Sequence, residues 1–430
     1  MYDGSDGDVA CDSYHLWRRD IQVAEELGLD LYRFSISWSR LLPSGFANYI
    51  SEDGKNYYSD LIDGLLEKGI EPVITIYHFD LPQPLQDLGG WANPLIADWF
   101  ADYARVVYSL YADRVKFWLT LNEPIGICDN GYTQKAAPYI DDANVGLYLC
   151  NKHIFLAHAK AWRIYDEEYK PKYHGKVSLA TMFFWFEPAT PEDVEVTELT
   201  IAYWEGRYAY PIFSKDGGWP PLVEKVIAEN SKRDGYASST LPPFTQEEIE
   251  LVRGTYDFYG LNHYSTSLVR KAKPGEGFGS WPFCGPRELG VIMERDPTWD
   301  TTDIDWFAVY PEGLYRQLHW LKNTYNISDI FITENGYLSF NDKLDDYNRL
   351  SYYKEHLNSV LLALQDGINV SGYIAWTLMD NFEWTAGYSV KFGLYAVNFT
   401  SPMRTRTPRA SANYYADVIS SRTTNHAMRV

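Results

Sequence analysis

Two periodicities alternate along the chain. Short runs of apolar, β-branched and aromatic residues predict buried strands at Leu31–Ser35, Pro72–His78, Val115–Asn122, Lys176–Phe186, Asp257–Tyr264, Ile330–Thr333 and Val370–Leu378. Helical patterns separate them. Tyr14–Leu27 collects Leu16, Val23, Ala24 and Leu27 on one side and stops at Gly28; Tyr57–Lys68 carries Leu61, Ile62, Leu65 and Leu66 and stops at Gly69. Pro94–Tyr111, Leu147–Tyr165, Pro311–Tyr325 and Tyr347–Asp366 continue the series, and Ser411–Ser421 reads as a terminal helix. This alternation predicts a parallel sheet with helices outside it. Seven strands without a reversal signal favour a closed α/β barrel, which in full has eight. No linker divides residues 1–430, so one domain is expected. Lys271–Asp305, rich in Pro and Gly, reads as an extended surface loop near a site.

Charge and composition narrow the partners. The 430 residues carry a formal net charge of −20, which repels nucleic-acid phosphates. Trp 15 and Tyr 35 are high counts; flat rings suit either a Tyr-rich core or a carbohydrate site. Cys11, Cys128, Cys150 and Cys284 are too few and scattered for a disulfide framework. No Cys/His cluster suggests a metal. His153 and His158 share a helical stretch, but a five-residue spacing puts them on different faces. No cofactor is implied, and no apolar run is long enough to span a membrane. The residues after Met1 are polar and turn-like, unlike a signal peptide.

Two strands end in a glutamate followed by a breaker: Thr120-Leu121-Asn122-Glu123-Pro124 and Ile332-Thr333-Glu334-Asn335-Gly336. A glutamate at the carboxyl end of a barrel strand faces the mouth, where barrel active sites sit. Each alone could merely begin a loop. Paired, they suit glycosidic cleavage, in which one carboxyl protonates the leaving oxygen and the other meets the anomeric carbon. At ~5–5.5 Å separation the second attacks directly and configuration is retained.

With these two motifs, Tyr-Arg-Phe-Ser-Ile-Ser-Trp at 32–38, Tyr-His-Phe-Asp-Leu-Pro at 77–82 and Asp-Asn-Phe-Glu-Trp at 380–384 complete a set. In this order they resemble glycoside hydrolase family 1, the β-glucosidase family, from about Gly7 to Ile419. Several segments are worded most like animal, particularly insect, members. The resemblance implies a (β/α)8 TIM barrel and retaining hydrolysis of a small-molecule β-glycoside. It makes Glu123 the acid/base and Glu334 the nucleophile. It gives Asn122 the sugar 2-hydroxyl and His78 another ring hydroxyl, with Trp376 stacked beneath the sugar. Arg33 and Tyr264 would flank the nucleophile and keep it ionised. Glu383 and Trp384 would bind the distal hydroxyls, and Glu383 would repel a 6-phosphate. Asn262, on the same strand as Tyr264, is expected to face the site.

The resemblance also has gaps. Nothing matches the family's opening strand, which ends in a Tyr-Gln-x-Glu-Gly type motif. An N-terminally truncated barrel is therefore expected, poorly soluble or inactive as written, with the full-length form secreted. Lys391 stands where arginine is usual. Both glutamates are compatible with a thioglucosidase, the myrosinase-like alternative. A non-catalytic, Klotho-like binding relative would tend to have lost one. Aglycone, exact glycone and oligomeric state stay open.

Overall fold

The computed structural model describes residues 1, 4–277, 289–304 and 307–425. Seven parallel strands form one curved sheet in chain order: β1 (Leu31–Ser35), β2 (Glu71–Tyr77), β3 (Phe117–Asn122), β4 (Lys176–Pro188), β5 (Tyr259–Lys271), β6 (Ile330–Asn335) and β7 (Val370–Ala375). Every neighbouring pair is parallel. Helices in the connections cover the outside, so the central strands are buried on both faces; β6 is buried at all its positions.

The fold is a (β/α)8 TIM barrel with an open seam. β1 and β7 approach each other, but among the described residues no ladder joins them. Both are half-buried along most of their length, unlike their neighbours. A strand buried on both faces excludes water, whereas these two face the place of an eighth strand.

Sequence and structure differ where local pattern is weak. The helix expected from Tyr57 begins at Glu52, because the Ser51 hydroxyl caps the Gly54 amide and acidic Glu52 and Asp53 occupy the first turn. Strands β4 and β5 run past their expected ends as a paired extension. Residues 191–252 hold helices the pattern did not mark, including Val194–Ile201, Arg207–Phe213 and Pro221–Arg233. Within the expected loop Lys271–Asp305, Val291–Glu294 pairs antiparallel with β5; residues 278–288, with Cys284, and residue 305 lie outside the described ones.

Cysteine spacing misled in one respect. Cys128 and Cys150 form a disulfide, with Cα atoms 5.6 Å apart. The chain makes an excursion after β3 and returns as the helix Gly146–Ile164, which carries Cys150 onto Cys128. Two cysteines separated by 22 positions carry no such geometry in sequence. His153 and His158 have separate partners: the former meets the Trp91 carbonyl, the latter Thr120 and the Thr255 carbonyl.

Candidate active site

The carboxyl ends of β1, β2, β3, β5 and β6 deliver polar side chains to one point, the barrel mouth. Arg33 comes from β1, Asn122 and Glu123 from the end of β3, Asn262 and Tyr264 from β5, and Glu334 from β6. The parallel register sets Asn262 directly against Glu334.

Glu334 is buried and held from both sides. Arg33 Nη1 donates to one carboxylate oxygen and the Tyr264 hydroxyl to the other, each at 2.6 Å. A guanidinium and a phenolic hydroxyl thus both donate charge-assisted hydrogen bonds to this carboxylate. Arg33 is itself locked in place. Its Nε donates to Thr75 Oγ1 at 2.9 Å, Nη1 to the Thr333 carbonyl at 3.0 Å and Nη2 to Asn122 Oδ1 at 2.6 Å.

Glu123 receives different treatment. Burial and the nearby Glu334 charge push its carboxyl up to about 8, against a smaller opposing effect of one hydrogen bond from Asn262 Nδ2 at 2.9 Å. That shift favours the protonated acid. Its backbone lies in the left-handed region, φ 45. For a non-glycine residue that conformation costs about 1–3 kcal/mol and persists only where the surroundings enforce it.

Asn122 joins the halves. Its Oδ1 accepts from both Arg33 and Asn262, the latter at 3.1 Å, which turns its amide nitrogen toward His78 Nε2 at 3.2 Å. His78 Nε2 is therefore an acceptor, and the proton sits on Nδ1, free for a ligand oxygen. Burial and Arg33 hold the imidazole well below its usual range, hence neutral.

An aromatic file borders this cluster. The His78 ring stacks on Trp376 and Trp384, with centroids 5.8 and 5.7 Å away, and Phe79 packs on Trp384 at 4.9 Å. Trp384 is 41% exposed, so a broad ring face is open at the mouth. Beside it, burial and the Glu334 charge push Glu383 up to about 8, opposed by a hydrogen bond with Trp376.

The breaker after Glu334 also has a structural reason. A Cβ on Gly336 would come 1.9 Å from the Trp376 carbonyl oxygen, and the Trp376 amide donates to the Asn335 carbonyl at 2.8 Å. Glycine is needed for β6 and the loop after β7 to touch. All ten expected site residues thus fall in one mouth. Sequence reading passed over Thr75, Thr333 and Phe79. Thr333 Oγ1 donates to Asn262 Oδ1 at 2.6 Å. The signal was available for the two threonines, each directly following an isoleucine within its strand.

Comparison with known proteins agrees with this architecture. The family model for glycosyl hydrolase family 1 matches residues 1–424. The chain belongs to glycosyl hydrolase family 1. Among family 1 relatives, Myrosinase 1 of Brevicoryne brassicae is 43% identical over 427 residues, spanning 97% of this chain and 89% of that protein. The cytosolic beta-glucosidase of Homo sapiens is 40% identical over 431 residues, covering 97% and 89%. The solved structure of aphid myrosinase superposes with a TM-score of 0.92 at 42% identity, over 98% of this chain and 90% of that one. A rice Os3BGlu6 beta-glucosidase gives 0.87 at 35% identity, over 97% and 90%. As a family 1 member, this chain is a β-glucosidase-type glycoside hydrolase. Among the described residues no helix is long and apolar enough to cross a membrane.

Proposed function

We propose that the protein hydrolyses β-D-glucosides or related β-glycosides with retention, Glu334 attacking and Glu123 serving first as acid and then as base. The observation that carries this reading is the contrast between the two carboxyls. Glu334 has a guanidinium and a phenol donating to it, whereas Glu123 is pushed up to about 8. Pushing paired carboxyls apart in this way assigns their roles.

In the first step a Glu334 oxygen forms a bond to the anomeric carbon. The glycosidic bond breaks, and the Glu123 proton goes to the leaving oxygen. Forming the glycosyl ester removes the Glu334 charge, one of the causes raising Glu123. Glu123 then persists as the carboxylate that takes a proton from water. Water attacks the anomeric carbon, and Glu334 leaves as the carboxylate that Arg33 and Tyr264 stabilise. Asn122, His78 and Asn262 are assigned to sugar hydroxyls and to orienting the carboxyls. Trp376 and Trp384 are assigned to the apolar sugar face, and Glu383 to the distal hydroxyls.

The test is an NMR time course on an aryl β-glucoside with the 430-residue protein. β-Glucose is expected as the first-formed anomer; α-glucose would overturn retention. The alkaline limb of kcat/KM should fall near pH 8, since the acid must be protonated in the free enzyme and that form is lost as pH rises through about 8. A limb beyond pH 10 would remove Glu123 from the acid's role.

A second reading, thioglucoside hydrolysis, rests on the similarity to Myrosinase 1. A thiolate leaving group needs little protonation, so a raised Glu123 has less to contribute there. Comparing aryl O- and S-glucosides decides between the two. The Cys128–Cys150 disulfide supports a secreted protein, because disulfides persist in oxidising compartments.

Replacing Glu383 by Ser should lower kcat/KM for glucosides by about tenfold or more, as two strong hydrogen bonds are lost. Acceptance of 6-phosphoglucosides should rise. Because burial and the Glu334 charge push Glu383 up to about 8, the native protein's rejection of 6-phosphate should steepen as pH rises through that range. Unchanged kinetics on both sugars would remove Glu383 from the site.

A further inference from the structure

Glu123 is followed at once by a turn that is clamped at two independent points. The turn Gly126–Asn130 is a single π-helical segment, a geometry frequent at functional sites. Gly126 and Ile127 amides donate back to the Glu123 carbonyl at 2.8 and 3.3 Å, so the turn and the glutamate backbone move together. At Cys128 the disulfide ties this turn to the helix Gly146–Ile164. At Asp129 the carboxylate accepts from Arg207 Nη2 at 2.5 Å and from the Tyr208 hydroxyl. Arg207 is fully buried among the rings of Tyr148, Tyr203 and Tyr208. Tyr208 is fixed in turn by Asn151 Nδ2 at 2.7 Å, one residue beyond Cys150. On the site side, among the described residues, the Glu123 carboxyl has only the Asn262 hydrogen bond. Gly126 meanwhile abuts the Phe79 ring, where a Cβ would come within 2.8 Å.

We infer that Cys128–Cys150 and the Asp129–Arg207–Tyr208 group are positioning residues for acid catalysis: they enforce the left-handed backbone at Glu123 and thereby aim its proton at the leaving oxygen. The inference rests on Glu123 being the acid. None of these side chains needs to touch substrate. A salt link buried against three rings and a covalent bridge supply the over-determination that an unfavourable φ requires.

Leaving-group dependence tests this. Glucosides with a dinitrophenolate leaving group need no proton for cleavage of the glycosidic bond, while alkyl glucosides do. The variants are Asp129→Asn, Tyr208→Phe and Cys128→Ser/Cys150→Ser, each assayed on both substrates in the 430-residue protein. For Asp129→Asn and the double serine variant, kcat/KM on the alkyl glucoside should fall about tenfold more than on the dinitrophenyl glucoside, part of the ~10²–10⁴ that acid catalysis supplies. Tyr208→Phe keeps the ion pair and should show a smaller split. A purely structural role lowers both substrates together through the folded fraction, and that result overturns the inference. If the double serine variant does not fold, Asp129→Asn and Tyr208→Phe decide. Glu123→Gln is the control. No split there defeats the acid assignment itself; a split there with none in the clamp variants defeats only the positioning role.

Discussion

Glu334→Gln is expected to abolish turnover while leaving a folded protein. The amide is isosteric but cannot form the glycosyl ester. Loss of a covalent nucleophile costs on the scale of ~10⁶ in kcat in other covalent catalysts. The structural question is what happens to Arg33, which is as deeply buried as its partner. Removing one member of a buried ion pair typically costs ~3–5 kcal/mol, because a charge is left uncompensated. Here Arg33 keeps Asn122 Oδ1, Thr75 Oγ1 and the Thr333 carbonyl as acceptors. A lowered melting temperature with intact circular dichroism is therefore expected, together with loss of the pre-steady-state burst on dinitrophenyl glucoside. A folded variant with native turnover would defeat the nucleophile assignment.

Glu123→Ala should produce a selective loss. Alkyl glucosides should slow by ~10²–10⁴-fold, whereas activated aryl glucosides should keep a fast first step and accumulate glycosyl enzyme. Azide needs no general base, so it should restore turnover and release β-glucosyl azide. An α-configured azide would contradict double displacement. Because Glu123 responds to the Glu334 charge, the variant should also lose the alkaline limb near pH 8. Persistence of that limb would transfer it to Glu383, which lies in the same range.

The two variants probe opposite uses of one physical lever. Glu334 is buried and Glu123 half-buried. Glu334 has the barrel's guanidinium and a phenol aimed at it, and Glu123 has a single amide. Local donors thus distinguish the surroundings of the two carboxyls.

Much of this was legible in the linear chain. Apolar runs near β1 to β7 marked buried parallel strands, because a strand covered on both faces tolerates few polar residues. Motifs at 120–124 and 332–336 marked strand ends: β3 stops at Asn122 before Glu123-Pro124, and β6 stops at Asn335 before Gly336. The absence of an eighth strand signal corresponds to the half-buried edges at β1 and β7. Tertiary structure alone decided the rest. Cys, Asp and Arg spacing could not foretell that Cys128 meets Cys150 or that Asp129 meets Arg207, since those contacts depend on how helices fold back over the barrel. Nor could sequence separate the surroundings of the two glutamates on chemical grounds. Both are the same side chain at the same kind of strand end; what differs is which neighbours the curved sheet brings within ~3 Å, the range in which hydrogen bonds and charges act most strongly.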